Sequence, residues 1–533
     1  MTGFAGSGIL TRLALRRDRI MLASWVYGLT AVSYASVAAT KKLYPTVASR
    51  MTLAAGAGAN EVTRALYGQA SDLHTLGGLA TYKLQSYGPV LAAVMSIIIV
   101  TRHTRGDEDA GRLELVGAGV VGRSASLNAA LLTAFLANLA LALLVAVGLA
   151  FAGLAGTSSL AFGLGVAVTG CVFAALTGVV AQLAGNARTV TGTVAAVLGL
   201  MYVLRAAGDT AAHGSWLTGL SWVSPIGWSE QLRPFGPRHW WVLAIAPLVT
   251  IALGAAAYVL AARRDLGAGL LPTRPGPAAA AGLRGPLGLA WRLQRGTLLG
   301  WVGTFAVYSL IIGALAVGIA DLAGNNTAAR DMFYRLGGHA GLTDSYLAAT
   351  IGILGLLASV YAVQAALRPR WEENGQRAEP VLAAAVGRAR WALSHLTFAF
   401  LGPVVLLIVA GLGEGLADGL RSGDAGTEVP RLLGGALAQV PAVWVLAGIA
   451  VALFGLAPRL AAVTWAALVA FLALTELGSV LGLSQWAIDL SPFTHVPKLP
   501  GGVFTATPLI WLTAVAVILT GLGLAGLQRR DMG

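Results

Sequence analysis

The residues of this 533-residue chain best placed to do chemistry are charged, and they occur twice. The segment RGDEDAGRLELVGAGVVGR (105–123) aligns without a gap to RWEENGQRAEPVLAAAVGR (370–388), with nine of nineteen positions identical. Arg105, Glu108, Arg112 and Glu114 recur as Arg370, Glu373, Arg377 and Glu379. On a helix, Glu108 lies four residues before Arg112 and Glu373 four before Arg377, a spacing that stabilises by a few tenths of a kcal/mol. A solvated loop would account for the arginines but not for acids and bases repeated at equal spacing. The expectation is a partner-docking helix in each copy.

Other chemistry is sparse. One cysteine, Cys171, excludes a disulfide framework, the histidines show no metal-ligand spacing, and no metal or catalytic residue is expected. A nucleotide loop needs G-x-x-x-x-G-K-[ST]; none of Lys41, Lys42, Lys83 and Lys498 follows a glycine. The expectation is that the chain cannot power transport alone and is not itself an enzyme. Arg205 and Glu476 interrupt apolar runs at matching depth in two halves, and ionisable groups there are functional candidates. They are expected to pair near an outer gate, or else each to face water at its helix mouth.

Composition sets what must hold these residues. Hydrophobic residues make up 56% of the chain and charged residues 11%, against about 25% charged in soluble domains. Such a sequence cannot cover a water-soluble particle, so soluble enzymes and nucleic-acid binders are excluded. A span needs about 20 apolar residues, and a charge at its centre costs roughly 2.5–3.5 kcal/mol. Charge-free intervals predict twelve spans, with Gly156–Ser159 breaking the long interval 124–187 and with Arg205 and Glu476 absorbed into short ones. With both termini cytoplasmic, 23 of 36 basic and 10 of 23 acidic residues fall inside, so the whole excess of +13 lies on that face. The expected location is the inner (plasma) membrane.

The repeat divides these spans. Ser224-Pro225 and Ser491-Pro492 precede the last span of each half, and Arg263-Arg264-Asp265 and Arg529-Arg530-Asp531 close it. The expected fold is all-α: two parallel six-helix halves, 1–265 and 284–533, joined by a cytoplasmic linker, 266–283, as a fused pseudo-dimer. Basic amphipathic stretches open each half, with Arg12, Arg16, Arg17 and Arg19 in the first and Trp291, Arg292 and Arg295 in the second. They are read as inner-leaflet interfacial helices attracted by anionic lipid, with snorkelling arginines or an ATPase-facing edge as alternatives. Asn138, Gln182, Gln364, His395 and Gln439 are expected to hydrogen-bond between helices.

At TR-x-[DE]-E-x-x-GR-x-E the chain resembles the actinobacterial ABC-2 type permeases that export polyketide antibiotics, including tetronasin-resistance and mycobacterial multidrug efflux permeases. LALRRDRIMLASW (13–25), LYPT (43–46), RHTRGDEDAGRLEL (102–115) and WEENGQRAEPVLAAAVGRARWALSH (371–395) carry the resemblance across most of the chain. The second copy departs from the first at Asn374 and Gln376. The resemblance implies that Arg105, Glu108, Arg112, Glu114, Arg370, Glu373, Arg377 and Glu379 form coupling helices. It implies two copies of a separate ABC ATPase holding ATP and Mg, an amphipathic substrate, and re-entrant helices before spans 6 and 12. A major-facilitator-type transporter is the alternative, with D-x-G-R at Asp109 to Arg112 and Glu476 as its one candidate coupling acid. A membrane transferase would need clustered carboxylates; Glu414, Asp418, Asp424 and Glu428 are read instead as a solvated loop.

Overall fold

The computed structural model describes residues 3–530, apart from 60, 70, 118, 212–213, 266, 272–284, 317–340, 385 and 478–483. Ala- and Leu-rich runs with few prolines form helices, and the described residues contain no strand. Two compact units result, Met1–Gly276 and Pro277–Gly533. Eleven of the described helices are long and apolar enough to cross a membrane, six in the first unit and five in the second. The sequence predicts twelve. The remaining candidate is the helix Val463–Leu477, whose apolar part Val463–Thr475 is about 20 Å long, against roughly 30 Å of hydrocarbon. Residues 478–483 and, of the predicted linker, 266 and 272–283 lie outside the described residues.

The first unit opens with one 37-residue helix, Ser7–Leu43. Its length, about 55 Å, exceeds a bilayer core, so the basic stretch Arg12 to Arg19 forms its first turns. It is not a separate interfacial helix, because no proline breaks the run. The second unit repeats this: Trp291, Arg292 and Arg295 lie within the single helix Pro286–Ala316. Ser7, Thr11, Ala14 and Asp18 form the buried stripe of the first helix, while Arg12, Arg16 and Arg19 are exposed.

The hairpin in the long apolar interval also falls slightly earlier than predicted. Ala125–Phe151 ends at Gly153 (φ 89°), where Gly153 N–H donates to Ala150 and Leu154 N–H to Leu149. Lys41 Nζ donates to the Ala152 carbonyl (2.5 Å) at that helix C-terminus, where cations are favoured. Gly156–Ser159 is consequently the first turn of the next helix, Gly156–Leu183. Val37, Met95, Ile99, Leu131, Leu141, Leu149 and Phe162 form the core of this unit.

Polar side chains link these helices. Asn138 donates to Ser96 Oγ at 2.8 Å, Gln294 lies 3.3 Å from His395 Nδ1, and Trp301 donates to Gln364. Gln182 accepts from Arg264, beyond the end of another helix. Short helices Pro225–Gln231 and Pro492–His495 follow Ser224 and Ser491, both fully buried. The acids read as a solvated loop are ordered. Glu414 and Asp418 are buried on the helix Arg388–Ser422, Asp424 caps Ala425–Leu437, and Glu428 binds Arg431 at 2.7 Å. Leu416 and Ala417 between Glu414 and Asp418 favour helix, and that helix runs through both acids to end at Gly423 (φ 83°).

Candidate functional site

The twice-occurring charged segment folds as two short helices in each unit. Arg105–Asp109 is followed by Arg112–Gly117, and Arg368–Asn374 by Ala378–Ala383. The break falls at equivalent residues, Gly111 (φ 68°) and Gln376 (φ 54°). This overturns the expected Glu108–Arg112 and Glu373–Arg377 pairs, since the chain reverses between the partners. Arg112 instead reaches Asp107 (2.9 Å), and Arg377 reaches Glu372 (2.9 Å), the same offset in both units. A left-handed conformation costs a side-chain-bearing residue roughly 1–2 kcal/mol, partly offset in glycine by its greater entropy loss. Gln376→Gly is expected to raise stability by about 0.5–1 kcal/mol, read as a higher Tm of the purified chain. Gly111→Gln should lower it, and an unchanged Tm in both would remove the conformational argument.

Glu108 and Glu373 face inward, onto the last long helix of their own unit. Glu108 receives a two-bond clasp from Arg264 (2.5 and 3.1 Å) and forms an ion pair with Arg105 (2.7 Å). Glu373 pairs with Arg530. Arg264 and Arg530 directly follow the ends of Val242–Ala262 and Ala506–Arg529. A second tie lies beside each: Arg123 donates to the Arg264 carbonyl (2.6 Å) and Arg388 to the Arg530 carbonyl (2.7 Å). The charged segment of each unit is thus strapped to the end of its last long helix, by the same two bonds. Charge-assisted clasps of this kind are among the stronger hydrogen bonds.

The first unit adds further ties. Arg105 is fully buried and donates to the carbonyls of Ala181 (2.6 Å) and Ala268 (2.9 Å), while Asp109 accepts from the Ala187 N–H. Asp107 also binds Arg17 (3.0 Å), and buried Asp18 binds Arg102 (2.8 Å) and His103 (2.6 Å). Arg17 is therefore joined to the charged segment. Arg370, the counterpart of Arg105, is half-buried and joins none of the ion pairs among the described residues.

Arg112, Glu114, Arg377 and Glu379 remain on the surface, with Leu115 and Trp371 beside them, 79% and 67% exposed. A cavity of about 400 Å³ lies behind the first segment, lined by Leu113, Val116 and Leu127 with Arg123 and Arg264 at its polar side. Each segment thus has a charged, partly apolar outer face and an inner face fastened to its unit. An outer force would be passed to the strapped helix.

Arg205 occupies a second charged centre at the opposite end of the first unit. It is fully buried and donates to Glu230 (3.1 Å), Asp209 (3.3 Å) and Ser86 (3.2 Å). Its other arm donates to the carbonyls of Ala65 (2.5 Å) and Leu66 (3.3 Å), closing the helix Glu61–Tyr67, and it lies 4.5 Å from the Tyr202 ring centroid. Its acids among the described residues, Asp209 and Glu230, come from its own unit; the side chain of Glu476, its expected partner, lies outside the described residues.

Nothing in the spacing singles out Asp18, His103, Asp209 or Glu230, and Glu414 reads as part of a solvated loop. The Arg-Arg-Asp echo closes the last span of each half, and Arg123 and Arg388 are identical ends of the repeated segment. The echo, offset by 266 residues where the charged segment is offset by 265, was the readable signal of the straps.

The family described as "Multidrug efflux system permease Rv1217c, C-terminal domain" matches residues 10–260 and 283–528. The chain is also similar to the multidrug efflux system permease protein Rv1217c of Mycobacterium tuberculosis (strain ATCC 25618 / H37Rv). Identity is 44%, covering 100% of this chain and 96% of that protein.

Proposed function

Because the chain belongs to the Rv1217c family of multidrug efflux system permeases, we propose that it is the transmembrane subunit of an ATP-driven exporter of the ABC-2 type. In this reading it has twelve spans in two parallel halves, both termini are cytoplasmic, and hydrophobic or amphipathic compounds, antibiotics among them, leave the cell. Two copies of a separate ATPase subunit bind ATP and Mg and dock on the segments 105–123 and 370–388. The chain itself hydrolyses nothing. The observation that carries this reading is the repeated strap: a surface segment in each unit, clasped to the last long helix by Arg264–Glu108 and Arg530–Glu373.

The division of labour within the segment follows from exposure. Arg112, Glu114, Arg377 and Glu379, with Leu115 and Trp371, meet the ATPase. Arg105, Glu108 and Glu373 pass its movement inward. The test is co-purification of the full chain with its ATPase, followed by drug-stimulated ATP hydrolysis. Glu114→Lys with Glu379→Lys is expected to reduce stimulation severalfold, since exposed interface charges act mainly through encounter and register. Stimulated hydrolysis and ethidium efflux unchanged in the double variant would rule out docking at these faces.

A further inference from the structure

Glu414 is a buried acid that neither the straps nor the docking faces use. It has no exposed surface, and neither carboxyl oxygen has a hydrogen-bond partner among the described residues. Backbone presses on it closely. A methyl group at Gly313 would come within 2.4 Å of the Glu414 carbonyl oxygen, and one at Gly415 within 2.7 Å of Val429 Cα. The helices Pro286–Ala316 and Ala425–Leu437 therefore meet Arg388–Ser422 on either side of this residue.

The surrounding charges among the described residues do not neutralise it. Asp344 and Thr350 come from Leu342–Ala366, and Thr350 donates its hydroxyl to Leu347 (2.9 Å). Asp418 lies one turn along its own helix, while Arg421 donates to the Ala314 carbonyl (3.0 Å). Ala425–Leu437 supplies Glu428 and Arg431, and Arg431 is taken by Glu428 (2.7 Å) and Asp344 (2.9 Å). Asp424 accepts from the Thr427 N–H, and Pro286–Ala316 has no charged residue after Arg295. An acid of this kind inside a spanning helix needs either a cation or a proton. No cation among the described residues pairs with it, which leaves the proton.

We propose that Glu414 is a proton-binding site, filled in the closed form of this end of the second unit and emptied when the end opens. Opening admits water, the carboxylic acid becomes a carboxylate, and its proton passes to that water. Closing requires the proton to return, because an ionised Glu414 opposes reburial. This rests on the export reading above, in which this end faces outward and must open once per cycle.

Two measurements test it. With ethidium as the probe, efflux by cells carrying the full chain and its ATPase should slow as external pH rises from neutral to alkaline. That pH dependence should vanish in Glu414→Gln and persist in Glu414→Asp; a Gln variant with the wild-type profile, or a flat wild-type profile, overturns the proposal. Infrared spectra of the purified chain should show a buried carboxylic-acid C=O band that is missing in Glu414→Gln. Identical spectra overturn the site whether or not the chain exports anything. A wild type with the band but without ethidium efflux at any pH would instead count against the export reading.

Discussion

Replacing Arg205 with Leu is expected to cost the first unit about 3–5 kcal/mol, the range found when one partner of a buried ion pair is removed. The guanidinium is fully buried and joins four elements: its own helix through Asp209, Leu84–His103 through Ser86, Pro225–Gln231 through Glu230, and Glu61–Tyr67 through two carbonyls. Leucine would leave two buried acids without their cation and two helix-terminal carbonyls without a donor. The measurement is Tm of the purified chain, with protease sensitivity of the segment 61–69 read alongside. Arg205→Lys should recover part of the loss, because one ammonium cannot serve two acids and two carbonyls spread around a planar fork. A Tm unchanged in Arg205→Leu would mean that this network carries no net stability.

Breaking the strap of the second unit should abolish most transport while leaving the fold intact. Arg530→Glu or Glu373→Arg alone places like charges opposite each other, so the segment 370–388 loses its ion pair to the end of the helix Ala506–Arg529 and keeps the Arg388 tie. Ethidium efflux is expected to fall by roughly tenfold in each, the effect of about 1.4 kcal/mol of lost coupling, with ATP hydrolysis by the bound partner largely retained. The double variant restores the pair in reverse, and efflux should return towards the wild-type level. This unit suits the exchange better than the first, where Glu108 also serves Arg105 and a reversal would create a new clash of like charges. Double-mutant cycles isolate the pairwise contribution in this way. Efflux as low in the double variant as in either single one would show that the ion pair is not the transmitting contact.

The sequence made the helices readable because hydrocarbon tolerates little else: interruptions by charge bound the spans. The charged repeat was readable for the same reason, since seven charged residues within 105–123 stand out against apolar runs. Its conformation was less so. Nothing in the one-dimensional spacing distinguishes a continuous helix from two short ones, and the deciding residue in the second copy is Gln376 rather than a glycine. The same limit hid Glu414. Its neighbours Asp418, Asp424 and Glu428 look like a solvated acidic loop in the sequence, whereas a continuous helix carries the first two acids into the packed interior.

By itself, the sequence determined the class of molecule, the number of long described helices to within one, and the two charged segments that repeat. Those follow from the cost of placing charge in hydrocarbon, which acts residue by residue along the chain. Only the tertiary structure decided which charges meet. Arg264 lies 156 residues from Glu108 and Arg530 lies 157 from Glu373, while Arg205 takes its acids from its own unit. Electrostatic pairing is short-ranged in space and indifferent to distance along the chain, so those partners exist only once helix packing has brought the ends together.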